Sequence, residues 1–393
     1  MTSAEGRRFG ARMAIALGFS QLINWGVSFY LLGAFGPAMV RDLSWSVQQV
    51  FAGLSVAMIV MGLISPLAGH LMERFGGRTL MRAGTLLNAA SCVLLANCQS
   101  SLLVYYLIWM MFGIGMRLSL YDALFAILAK RAGEQARSTM VHITLLGGLS
   151  SSVFWPLGNG LQAYMGWRQG LIVYAALSLI SLGLLQLVPA KATPLDTKPT
   201  SVLPGPGRPL PVSNQWLFGL GVALVGALSA GLAPQFPEVL TSLGAPISLV
   251  ALWGIGQTCA RMVQGLLGQS ISALSLNLWV GLGLPLCFAM ALLSAGNVLL
   301  AGLFVLGYGA LNGLSTLLRA SLPFELFAPG EYARLIGKLV APGFIVSAFA
   351  PWYFAAVREH WGDRALLWMA LGIALCSLCV AVGLKLSNAK RRG

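Results

Sequence analysis

The chain is a succession of apolar stretches, each about twenty residues long and apolar around its whole circumference. As a helix rising about 1.5 Å per residue, such a stretch matches the roughly 30 Å hydrocarbon core of a bilayer. Broken by charges, proline and glycine, the stretches fall at 13–38, 48–71, 79–97, 102–129, 138–164 and 167–188. They resume at 215–241, 247–270, 276–295, 298–320, 336–357 and 364–386. We number them span 1 to span 12. Transmembrane β-barrels alternate apolar and polar residues over segments of about ten, a pattern these stretches lack. Of the 393 residues, 57% are hydrophobic and 9% charged, with mean hydropathy +0.80. A soluble domain carries about 25% charged residues, and a disordered chain needs low hydrophobicity and high charge. The expected fold class is an all-α integral membrane protein, with twelve transmembrane helices in two pseudo-symmetric six-helix bundles.

The two groups of six are separated by residues 189–214. This stretch holds Pro189, Pro194, Pro199, Pro204, Pro206, Pro209 and Pro211 together with Lys191, Lys198 and Arg208. Such a composition cannot bury a core, so it reads as a linker. The expected organisation is an N-terminal bundle over 1–188, a cytoplasmic linker over 189–214 and a C-terminal bundle over 215–393. The halves echo each other. Gly166 and Arg168 reappear as Gly362 and Arg364, and Gly69 as Gly265, all 196 positions on. Pro156 and Pro351 differ by 195, and the doublet Gly113 and Gly115 pairs with Gly307 and Gly309 at 194. Near-constant offsets point to a duplicated six-helix unit.

Basic residues set the orientation. With both termini in the cytoplasm, 19 of the 25 Lys and Arg fall on the inside. Only Arg41, Arg168, Arg358 and Arg364 fall outside, while Arg117 and Arg261 lie within spans. The net charge of +14 is thereby a matter of topology and lipid headgroups, and no nucleic-acid partner is implied. Arg7, Arg8 and Arg12 precede an apolar run as in a signal peptide, yet the run is long and lacks a small-residue cleavage site. It reads as an uncleaved first helix. The expected location is the inner (plasma) membrane, multi-pass. The six cysteines read as small packing residues, the Cys376 and Cys379 pair included.

The turn between spans 2 and 3 runs Gly69, His70, Leu71, Met72, Glu73, Arg74, Phe75, Gly76, Gly77, Arg78. It resembles the G-x-L-x-D-R-x-G-x-R signature of the major facilitator superfamily. That resemblance covers essentially the whole chain and implies a gating motif of Gly69, Glu73, Arg74, Gly76 and Arg78. Its acid would act as a latch that closes the cytoplasmic side, favoured by the attraction of a carboxylate to a helix N-terminus. Glu73 stands where the family usually has Asp. A narrower resemblance, carried by Arg41, Asp42, Leu43, Ser44, Trp45, Ser46 and by Gly166, Trp167, Arg168, is to bacterial relatives of monocarboxylate transporters and oxalate/formate exchangers. It implies a substrate-facing arginine in span 8, a role for Arg261. Gln257 stands where monocarboxylate transporters carry an acid, and Trp109 where drug antiporters carry an arginine.

A charged side chain at bilayer depth costs about 2.5–3.5 kcal/mol, so each is a functional candidate. Arg117 in span 4 and Arg261 in span 8 supply one deep arginine per half, against one deep acid, Asp122. The positive excess favours an anion whose carboxylate a guanidinium fork can grip. The plainer alternative is that each arginine is neutralised by Asp122 or Glu238 and locks helices together. Asp122 is a coupling candidate. Gln21, Asn24, Trp25 and Ser28 form a polar stripe in span 1 with Tyr30 nearby. Asn24, Tyr30, Gln257 and Asn312 are candidate substrate contacts, although bonds between helices explain polar residues in a membrane equally well. His142 reads as interfacial, and His70 and His360 as loop-proximal.

No P-loop or hydrolase motif occurs, and no cofactor or metal is implied. The expected function is secondary active transport of a small organic anion, a carboxylate, by alternating access, with a monomer as the acting species. The alternative on the same fold is efflux of hydrophobic or cationic compounds.

Overall fold

The structure is a computed structural model that describes residues 3–121, Leu124, 143–187, 212–267, 271–326 and 332–392. These residues are helical almost throughout, and no strand occurs among them. Nine helical stretches among the described residues are long and apolar enough to cross a membrane. Two of these, Ile143–Leu184 and Ile345–Asn388, are 42 and 44 residues long. A straight helix of that length would run about 63 Å, twice the thickness of a bilayer core. Each breaks instead at one glycine, Gly166 (φ 80°, ψ 165°) and Gly362 (φ 82°, ψ 173°). Positive φ is cheap only for a residue without Cβ. These glycines turn span 5 into span 6 and span 11 into span 12. Span 8 is the shorter helix Ala251–Leu267, so each of the twelve predicted spans has its helix.

Contacts divide the chain into two compact units, Met1–Pro199 and Thr200–Gly393. Most of the predicted linker, 189–211, lies outside the described residues, and the helix of span 7 starts at Val212.

Spans 1 and 7 are broken. Span 1 consists of the helices Ser3–Val27 and Leu31–Leu43. At the break the Ser28 hydroxyl donates to Asn24 O (2.6 Å) and the Tyr30 amide reaches back five residues to Trp25 O (3.1 Å). A hydroxyl bonding back onto the preceding turn competes with the helical ladder. Span 7 passes from Val212–Leu232 through a 3-10 turn, Ala233–Gln235, into Phe236–Ser242. Pro234 and Pro237 cannot donate there. Span 4 differs from expectation. Its helix is Leu102–Ser119, Leu120 is extended (φ −82°, ψ −175°), and Asp122 and His142 lie outside the described residues. Span 2 opens with a capping box, Gln49 N–H to Ser46 Oγ (3.1 Å) and Ser46 N–H to Gln49 Oε1 (3.0 Å).

One close approach of two helices recurs in both units. A Cβ on Gly113 would lie 2.4 Å from Ala57 O, and a Cβ on Gly309 2.2 Å from Trp253 O. Spans 2 and 4, and spans 8 and 10, therefore meet backbone to backbone at positions 196 apart. This corrects the sequence pairing of the glycine doublets at 194, which matched motif to motif rather than contact to contact. The same offset relates Asp42, bonded to Arg168, to Glu238, bonded to Arg358. Trp167 Nε1 also donates to Asp42 (3.2 Å), and Arg358 Nε donates to Asp363 (2.7 Å).

Large apolar side chains such as Leu63, Leu103, Trp279, Leu293 and Leu299 stand exposed, which suits a surface solvated by lipid tails. The cysteines divide. Cys92, Cys98 and Cys287 are buried, whereas Cys259, Cys376 and Cys379 are exposed, so half of them are not core residues as their sequence context suggested.

Candidate substrate site

In unit 1 the polar stripe of span 1 turns inward. Asn24 is fully buried. Its amide donates to Ser20 O (2.9 Å) and Ser181 Oγ (3.0 Å), and Thr85 Oγ1 approaches its oxygen at 3.4 Å. Ser20 and Ser181 share a hydroxyl bond of 2.8 Å. Asn24 thus ties spans 1, 3 and 6 together, and its place in a substrate site is not what this geometry describes. Gln21, also fully buried, donates to Ser119 O (2.8 Å), and Asn88 donates to Ser119 Oγ (3.1 Å). Interhelical bonds of this kind substitute for the hydrophobic drive that lipid removes.

The next residues along span 1 form a cluster of rings. Trp25 lies 5.3 Å from both Phe29 and Tyr121, centroid to centroid, and Tyr30 lies 5.3 Å from Phe29 and 5.2 Å from Trp155. Tyr30 is buried in this cluster at the helix break. Trp25, Phe29, Tyr121 and Arg117 are partly exposed. Arg117 occupies the last turn of the helix Leu102–Ser119 rather than the middle of a continuous span, because Leu120 interrupts the apolar run there.

In unit 2 the structure brings three predicted residues together. Arg261 is 6% exposed. Its Nη2 donates to Thr316 Oγ1 (3.0 Å) and its Nε to Gly313 O (3.4 Å). The Thr316 hydroxyl in turn donates to Gly313 O (2.7 Å). Gln257, buried one turn earlier on span 8, offers the backbone against which Gly313 packs: a Cβ on Gly313 would lie 2.7 Å from Gln257 O. Asn312, 8% exposed, precedes Gly313. Glu238 is engaged elsewhere, with Arg358. Thr316 was not singled out from the sequence. Its signal is the spacing of three residues after Gly313, which matters only once span 10 is known to face Arg261.

The motif between spans 2 and 3 has a clear backbone. Gly76 takes φ 81°, the turn that this glycine permits. Arg74 is exposed, with its guanidinium 5.3 Å from the Phe75 ring. Arg78 donates to the carbonyl and side chain of Gln186, both at 2.9 Å, and Arg82 bonds to the same side chain. Both arginines sit where the last carbonyls of span 6 need donors, a favourable place for cations. Gly69 and Glu73 lie in the last two turns of the span 2 helix, and the side-chain position of Glu73 lies outside the described residues.

A family model described as Major Facilitator Superfamily matches residues 17–351. The chain belongs to the Major Facilitator Superfamily. As a member of it, the protein is a multi-pass membrane transporter and not an enzyme. Monocarboxylate transporter 11 of Mus musculus is 26% identical over 351 residues, covering 84% of this chain and 70% of that protein. The chloramphenicol resistance protein CraA of Acinetobacter baumannii is 26% identical over 365 residues, covering 85% and 78%. A solved point mutant of the nucleoside transporter NupG superposes with TM-score 0.75 at 14% identity, over 96% of this chain and 99% of that one, a likeness of fold.

The 196-residue register gives this major facilitator chain a property neither arginine shows alone. Arg261 corresponds to Ser65, and Gly313 corresponds to Arg117. Each unit thus carries one guanidinium at the equivalent level of the same helix pair, on opposite partners.

Proposed function

We propose that the protein transports a small organic anion, a carboxylate, by alternating access, with Arg261 as the principal anion-binding group and Arg117 as its counterpart in unit 1. The observation that carries this reading is the cluster at the seam of spans 8 and 10, where Arg261 is oriented by Gly313 O and Thr316 Oγ1 beside Gln257 and Asn312. Both of these groups are neutral acceptors that orient the guanidinium fork. The name of the mouse relative, a monocarboxylate transporter, supports the same substrate class. In this reading Tyr30, Gln257 and Asn312 line the substrate path and Asp122 is the coupling acid. Glu73 is the acid of a gating latch, and both termini face the cytoplasm of a monomer in the inner membrane.

The test is binding and uptake of a carboxylate panel by purified, monodisperse Arg117→Ala and Arg261→Ala variants. Loss of a charged donor is worth about 1.5–3 kcal/mol, roughly tenfold to a hundredfold in affinity. Arg261→Lys should recover only part of it, since an ammonium lacks the planar fork. Normal transport of a neutral or cationic compound by both folded Ala variants would sink the anion reading in favour of efflux.

A further inference from the structure

Unit 1 holds an aromatic cluster that the anion site leaves unexplained. Trp25, Phe29 and Tyr30 bracket the break in span 1, and Tyr121 follows the extended residue Leu120 at the end of the span 4 helix. Unit 2 has a cluster of the same residue types, Phe236, Trp253, Phe288, Phe304 and Tyr308, yet these are 0–1% exposed and seal against one another. In unit 1, Trp25, Phe29 and Tyr121 remain partly exposed.

A partly exposed ring inside a span faces either lipid or the transport path. Arg117 decides between them. It precedes Tyr121 by four residues, is likewise partly exposed, and a guanidinium against acyl chains is strongly disfavoured, so this side of unit 1 faces water or substrate. Spans 1, 4 and 5 meet there. Gln21 donates to Ser119 O (2.8 Å), and a Cβ on Gly147 would lie 2.0 Å from the Tyr121 hydroxyl and 3.3 Å from Gln21 Cβ. The Trp25 indole N–H, buried at the edge of the cluster, finds no acceptor among the described residues. A ring wall, a spare indole donor and a guanidinium on one seam are complementary to a flat ring that carries an anionic group.

We propose that Trp25, Phe29, Tyr30 and Tyr121 form a ring-binding wall that makes an aromatic carboxylate, rather than an aliphatic one, the preferred substrate. The proposal rests on the anion reading above. The carboxylate engages Arg117, while the body of the substrate packs edge-to-face or offset against Trp25 and Tyr121, as aromatic pairs prefer.

The experiment uses the full chain in detergent and three probes of one size: benzoate, cyclohexanecarboxylate and benzamide. Stabilisation against heating is read as a function of concentration, and the unliganded melting temperature checks each variant for folding. Benzoate is expected to saturate at about threefold to tenfold lower concentration than cyclohexanecarboxylate, the selectivity of one aromatic pair. Tyr121→Leu and Trp25→Leu should bring the two acids into line, and Trp25→Phe should preserve the preference. Equal binding of the two acids by the unaltered protein overturns the ring wall and leaves the anion reading standing. Benzamide binding as well as benzoate overturns the anion reading, and with it the carboxylate preference proposed here. If no carboxylate stabilises the protein, both fall.

Discussion

Units 1 and 2 share a plan of six spans and differ in how they use their polar residues. Unit 1 buries Ser20, Gln21, Asn24, Thr85, Asn88, Ser119 and Ser181 and uses them as rivets between helices. The rings of its Trp25 cluster stay partly open, although Tyr105, Trp109 and Phe112 are sealed as tightly as the rings of unit 2. Among its described residues, unit 2 buries fewer polar side chains, seals the rings around Trp253 into a core, and includes Arg261 among the buried ones. The close glycine contacts, the corner glycines and the acids at Asp42 and Glu238 are common to both. A duplicated scaffold therefore keeps its backbone contacts, which sterics permit in few ways, while its polar side chains diverge, because many placements satisfy a hydrogen bond.

The shared contacts predict the largest effect. Gly113→Leu and Gly309→Leu each force a side chain onto a helix carbonyl, and both should lose about 3 kcal/mol or more, seen as loss of monodisperse protein or a collapsed melting temperature. A much milder outcome in one unit would break the equivalence. The polar contrast gives a smaller one. Asn24→Ala should destabilise by about 1–2 kcal/mol with ligand affinity nearly unchanged, whereas Asn312→Ala should weaken carboxylate binding with less than about 0.5 kcal/mol lost in stability. Reversal of that pattern, measured by melting temperature and ligand titration on the same samples, would return Asn24 to the substrate path.

The smallest effect sharpens the comparison of the paired acids. Arg358, with 17% of its side chain exposed and two carboxylate partners, should cost about 1 kcal/mol on change to Gln. Arg168, 42% exposed, should cost under about 0.5 kcal/mol and become neutral in high salt, where exposed pairs are screened. Equal, salt-insensitive losses in the two variants would show that exposure does not separate them.

By itself the sequence determined whatever depends on the length and composition of a segment. Twelve spans follow from apolar length, the turns at Gly166 and Gly362 from glycine between charged or aromatic neighbours, and the two arginines from the rarity of charge in a bilayer. Tertiary structure decided whatever depends on direction. Where lipid and protein interior are equally apolar, no amphipathic stripe says which face of a helix points inward, so Asn24 and Arg261 look alike as polar residues in spans. Packing makes one a rivet held by three helices and leaves the other as the charged centre of a cluster. The breaks at Ser28–Tyr30 and Leu120 were likewise invisible, since an apolar run continues through both and the departures depend on a hydroxyl bonding back and on what lies beside the helix. The 196-residue register of spans 4 and 10 also waited for the structure, because it is fixed by which carbonyl each glycine touches and not by the spacing of the glycines.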